Sequence, residues 1–141
     1  MSRVLLDTSA YSALLRGDAR IHRCVQEADE LFVNPIILGE LKAGFARGRH
    51  RKKNEQELAS FLASSRVRVI SLDGDSSERY AVILGSLRSA GTPIPTNDVW
   101  IAASAMQYGL QVVTMDRHFQ KVPQVLVEFF EPAEARSGVA V

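Results

Sequence analysis

Apolar positions along the chain follow two alternating rhythms. Arg3-Val4-Leu5-Leu6, Leu31-Phe32-Val33, Val67-Arg68-Val69-Ile70 and Gln111-Val112-Val113-Thr114-Met115 are short, largely aliphatic runs with the length and make-up of buried strands, and Val125 to Phe129 predicts a fifth. Stretches of helical spacing lie between them. Asp7-Thr8-Ser9 supplies N-cap chemistry for a first helix that stops near Gly17, and a second covers about residues 19 to 29. Asn34-Pro35 places a cap before a proline at the first helical position, so a third helix runs from about Pro35 to Ala46 and ends at Gly48. A fourth spans roughly Lys52 to Ser64, with Leu58, Phe61 and Leu62 as its apolar stripe. Tyr80, Ile83, Leu84 and Leu87 have the i, i+3, i+4, i+7 spacing of an amphipathic helix ending before Gly91. After a proline-containing loop, Gly91 to Thr96, the segment Asn97 to Tyr108 is helical and apolar almost all round, which predicts deep burial.

Strands that alternate with helices predict an α/β fold, a parallel sheet covered by helices on both faces. The 141 residues fit one domain, assigned to residues 1–135, with small or polar residues 136–141 expected to fray. Hydrophobic residues make up 46% and charged residues 23%, the balance of a globular chain that buries its own core. Cys24 is the only cysteine, which rules out an intrachain disulfide and a cysteine-based zinc site. No apolar run approaches the roughly 20 residues of a spanning helix, and the N-terminus lacks the long apolar stretch of a signal peptide. A cytoplasmic location is therefore expected, with no membrane partner. The net charge of +1 does not announce nucleic acid, so any such signal must lie in where the charges sit.

Function in open parallel sheets gathers at the carboxyl ends of the strands. Asp7 closes the first strand and Asp116 the fourth, Asp98 opens the buried helix, and Glu40 lies in the helix after the second strand. At about 100° per residue, Glu40 falls at the border of the face marked by Ile37, Leu41 and Phe45. The same count sets Asp98 above Ala102 and Ala105, whose small side chains let the helix approach the sheet. Each acid alone also fits a local role: Asp7 or Asp98 as a helix cap or dipole partner, Glu40 as a border residue, Asp116 as a turn residue. Brought together, four carboxylates repel one another unless protons or a cation compensate. Oxygen donors without a histidine or cysteine partner favour Mg²⁺ or Mn²⁺, the setting for metal-assisted phosphodiester hydrolysis.

Four ordered stretches carry a family resemblance: Leu5-Leu6-Asp7-Thr8-Ser9, Ile37-Leu38-Gly39-Glu40-Leu41, Thr96-Asn97-Asp98-Val99-Trp100-Ile101-Ala102-Ala103 and Val113-Thr114-Met115-Asp116-Arg117-His118-Phe119. They resemble the PIN domain and, within it, the VapC toxins of toxin–antitoxin pairs. The resemblance implies a three-layer α/β/α fold with a central parallel sheet of about five strands, and an endoribonuclease dependent on Mg²⁺ (Mn²⁺ possible). It also implies a homodimer and inhibition by a cognate antitoxin protein. By the matched motifs, Asp7, Glu40, Asp98 and Asp116 would form the acidic site. Asp7 and Asp98 would be direct ligands, and Asp116 would bind through water or at a second metal position. Glu40 would orient or deprotonate the attacking water. Thr8, Ser9, Asn97 and Thr114 would order ligands or metal-bound waters around them.

Arg47-Gly48-Arg49-His50-Arg51-Lys52-Lys53 is the one concentrated basic run. It reads either as a solvated helix junction or as an edge contacting RNA phosphates, with Arg47, Arg49, Arg51 and Lys52 as candidates. Positive charge at a helix start opposes the helix dipole, which speaks against pure solvation. His118 could reach the pocket but reads first as a structural or surface residue, and Trp100, Cys24 and Met106 read as packing. A haloacid-dehalogenase-type phosphatase wants a second aspartate where Ser9 stands, and a receiver domain wants paired acids after the first strand. Nucleotide-binding glycine loops are absent. The alternative of another class is a catalytically silent RNA- or antitoxin-binding module, which no missing residue favours.

Overall fold

The structure, a computed structural model, describes residues 2–132. The segment expected to fray, 136–141, lies outside them. In chain order the elements are β1 (Arg3–Leu6), α1 (Thr8–Leu15), α2 (Ala19–Glu27), β2 (Glu30–Val33), α3 (Pro35–Arg47) and α4 (Arg51–Leu62). They continue as β3 (Val67–Val69), α5 (Gly74–Ala90), α6 (Thr96–Tyr108), β4 (Gln111–Thr114), a short 3₁₀ helix (Arg117–Lys121) and β5 (Val127–Phe129).

The five strands pair in parallel throughout, in the order β3-β2-β1-β4-β5. Successive strand side chains point to opposite faces, so each strand feeds two cores. Val4 and Leu6 of β1, Leu31 of β2 and Val113 of β4 join Ala10, Ala13 and Ile21 beneath α1 and α2. Leu5, Phe32 and Val112 point the other way, into Ile37 and Leu41 of α3, Ile83 and Leu87 of α5, and Val99 and Ala102 of α6. The result is the three-layer α/β/α arrangement expected, with about five strands. No helix of the described residues is long and apolar enough to cross a membrane.

The order of strands matters more for function than their number. From β1 the chain steps outward through β2 to β3, then α5 and α6 carry it back across to β4 on the other side of β1. Connections leaving β1 and β4 thus diverge, and a crevice opens between their carboxyl ends, where open α/β sheets bind ligands.

Several elements differ at their edges from the sequence expectation, for local reasons. α5 starts at Gly74, before its apolar stripe, because Asp73 accepts the Ser76 N–H at 3.2 Å while the Ser76 hydroxyl accepts the Asp73 N–H at 2.9 Å. That reciprocal capping box adds nearly two turns of polar helix. The fifth strand is only Val127–Phe129. The 3₁₀ helix was not foreseen; it forms where Asp116 accepts the His118 backbone N–H at 2.9 Å and Phe119 is fully buried.

Candidate active site

Asp7 is the first residue beyond β1 and is only 3% exposed. It fills the local role expected of it. Its Oδ1 accepts the Ala10 N–H at 2.8 Å and so caps α1. The same oxygen accepts the Ser9 hydroxyl at 2.7 Å, and Oδ2 accepts the Thr114 hydroxyl at 2.6 Å. Thr114, the buried last residue of β4, in turn accepts the Asp116 N–H at 2.8 Å, and Ser9 accepts the Met115 N–H at 2.9 Å. These bonds lock the end of β1 to the turn after β4 and set Asp116 beside Asp7.

α6 delivers Asp98. Its cap position is Pro95, so Asp98 lies in the first turn and does not cap the helix. Its carboxylate is instead held by His118, whose Nδ1 stands 3.1 Å from Asp98 Oδ2 and 2.9 Å from Asp116 Oδ1. The histidine that read first as a structural or surface residue is therefore part of the pocket. Sequence carried only a weak signal for it, a histidine two residues past Asp116, because the 3₁₀ turn that folds it back was not visible.

Glu40 reaches the site by a different route. Its Oε1 accepts the Thr8 hydroxyl at 2.5 Å and its Oε2 accepts the Asn97 side-chain amide at 3.1 Å. Thr8 neighbours Asp7 and Asn97 neighbours Asp98, so the two bonds tie α3 to both. The helices themselves are joined below the site: Asn34 caps α3 by accepting the Ile37 N–H at 2.9 Å, and its amide donates to the Ser104 hydroxyl of α6 at 2.9 Å. Both residues are fully buried. The cap was legible in Asn34-Pro35; the Ser104 partner was not.

Electrostatics follow from this crowding. Burial pushes the Asp7 carboxyl up to about 6, against the hydrogen bonds from Thr114, Ala10 and Ser9, and Asp116 adds to the rise. Asp98 is also pushed up to about 6, by burial first and by the charge of Asp116 next, with His118 pulling the other way. Asp98, Asp116 and His118 each offer a ligand atom, and these lie within 4.8 Å of one another. Hard carboxylate oxygens that repel one another, with one imidazole nitrogen, fit a small divalent cation.

Of the basic candidates, Arg47 lines a groove of about 340 Å³ that also has Thr8, Arg16, Glu40, Phe45 and Asn54 in its walls. Arg49, Arg51 and Lys52 are exposed at the α3–α4 junction and the start of α4, a helix with no side-chain cap. Arg16, just past α1, was missed by sequence reasoning, since an isolated arginine carries no signal. Trp100, expected in the core, is half-buried, its ring stacked on Tyr80 with centroids 4.2 Å apart.

Residues 4–125 match the PIN domain. The chain is 30% identical to ribonuclease VapC4 of Mycobacterium tuberculosis over 67% of its own length and 73% of that protein. It is 32% identical to plasmid stability protein StbB of Pseudomonas syringae pv. tomato, over 80% of its length and 87% of that protein. Among solved structures, DNA-bound VapBC from Salmonella typhimurium superimposes with a TM-score of 0.76 at 26% identity, covering 92% of this chain and 98% of that one. With the parallel sheet, the crevice at its switch point and a match over nearly the whole chain, the protein belongs to the PIN domain family.

Proposed function

We propose that this PIN domain is a divalent-metal-dependent endoribonuclease, the toxin of a toxin–antitoxin pair. The observation that carries the reading is the convergence of Asp7, Asp98 and Asp116 on the crevice between β1 and β4, with Glu40 tied in through Thr8 and Asn97. VapC4, a ribonuclease by name, and solved VapBC complexes support the substrate and the partnership.

In this reading Asp7, Asp98 and Asp116 hold the cation. Mg²⁺ is the expected ion, with Mn²⁺ as the substitute. Bound there, it supplies Lewis-acid activation of the phosphodiester and of water. Ser9 and Thr114 keep the Asp7 carboxylate in one orientation. Glu40, its two oxygens fixed by Thr8 and Asn97, is the base that takes a proton from the attacking water. Arg47, with Arg49, Arg51 and Lys52 beyond it, holds the RNA backbone along the groove beside Glu40. The working form is a cytoplasmic homodimer that its antitoxin holds silent.

The chemistry dictates the test. Water attack with departure of the 3′-oxygen leaves a 5′-phosphate and a 3′-hydroxyl, whereas attack by the neighbouring ribose hydroxyl expels the 5′-oxygen and leaves a cyclic phosphate. Purified protein incubated with an RNA pool should cut internally in Mg²⁺ or Mn²⁺ and not in EDTA. The new ends should carry 5′-phosphates, and cutting should survive removal of the 2′-hydroxyl beside the scissile bond. Cyclic-phosphate ends, or cutting unaffected by EDTA, would overturn the proposal.

A further inference from the structure

His118 has no part in the chemistry just described, yet its ring stands between two of the site's carboxylates. Asp116 Oδ1 accepts the His118 backbone N–H at 2.9 Å, which curls the 3₁₀ helix and turns the ring back over the crevice. Nδ1 then stands 3.1 Å from Asp98 Oδ2 and 2.9 Å from Asp116 Oδ1. Adjacent ligands of an octahedral ion bonded at about 2.1 Å stand about 3.0 Å apart, the bond length multiplied by √2. Both separations match octahedral edges, and the third, between the two carboxylates, lies within 4.8 Å.

An ordinary ion-pair partner would be displaced once a cation took over the two carboxylates. Here the bond from the His118 backbone N–H to Asp116 Oδ1 keeps the base of the side chain beside that carboxylate, so the ring stays within reach of a cation held there.

Resting on the reading of this site as a divalent-cation centre, we propose that His118 is itself a ligand, through Nδ1. With Asp98 and Asp116 it forms a mixed nitrogen–oxygen face that favours Mn²⁺ over Mg²⁺. Mg²⁺ gains little from replacing an oxygen donor by imidazole, whereas first-row transition ions bind imidazole well. An all-carboxylate site would have a smaller bias.

The direct probe is Mn²⁺ itself, bound to the full chain and read by pulsed electron paramagnetic resonance. A ¹⁴N coupling from a directly bonded imidazole is expected, and it should change to the ¹⁵N pattern when the protein is grown on ¹⁵N-histidine. Neither of the other two histidines confuses the signal: His22 lines a separate pocket with Tyr11 and Phe61, and His50 precedes α4. His118→Gln should lose the coupling and bind Mn²⁺ about tenfold more weakly, with a much smaller change for Mg²⁺. Circular dichroism of that variant checks its fold, and the labelled wild type carries the test without any substitution. Mn²⁺ bound with oxygen-only coupling would overturn the His118 assignment while leaving the metal centre standing. Equal weakening for both ions would also overturn the predicted bias. No Mn²⁺ binding at all would overturn both this inference and the metal reading beneath it.

Discussion

Asp7 serves two ends that conflict. As a cap and crosslink it fixes α1 and β4, and a neutral group could do much of that; as a site carboxylate it must be ionised in a place that is 3% exposed. In the unfolded chain its carboxyl ionises near 3.8, and in the fold only near 6. The stability contributed by the protonated group is therefore present below 3.8 and is lost as pH rises through 6. A shift of this size corresponds to roughly 2–3 kcal/mol against the metal-free fold above pH 6. Asp7→Asn keeps an oxygen for the Ala10 N–H and removes the charge. In EDTA at pH 8 this variant should be more stable than wild type by roughly 1–3 kcal/mol, and the gain should fade towards pH 4. Urea unfolding at the two pH values checks it; a variant no more stable at pH 8 would show that the carboxylate is not strained. At this scale the four acids were legible, because strand ends and helix starts mark them in the sequence. His118 was not, because its position depends on a turn held by the Asp116 side chain.

Between elements, the decisive contact is the buried bond from Asn34 to Ser104, which joins the helix of Glu40 to the helix of Asp98. Ser104→Ala leaves the Asn34 amide unpaired in the core and should cost about 1–3 kcal/mol, measured by urea unfolding. The Asn34 cap on the Ile37 N–H is untouched by that change, so a cost near zero would mean the link carries no weight. Helix and strand identities were readable from periodicity, and most boundaries lay within a few residues. Two of the misses share a cause. The early start of α5 and the 3₁₀ helix both arise from side-chain-to-backbone bonds, by Asp73 with Ser76 and by Asp116, in segments with no apolar rhythm to betray them.

Across the molecule, a sheet of order β3-β2-β1-β4-β5 turns four acids scattered from residue 7 to residue 116 into neighbours of one crevice. Alternating strands and helices announced a parallel sheet, but the pairing of β1 with β4, separated by α1 to α6, is a tertiary fact that periodicity does not contain. The family motifs supplied the grouping that spacing alone left open. The central claim is that this grouping is a metal-dependent catalytic centre for RNA. Cleavage of an RNA pool by antitoxin-free protein, with wild type beside Asp7→Asn and Asp98→Asn, each in Mg²⁺ and in EDTA, tests it most directly. The account predicts internal cuts by wild type in Mg²⁺ only, with activity reduced by about two orders of magnitude or more in both folded variants. Cutting that persists in both variants, or in EDTA, would contradict it.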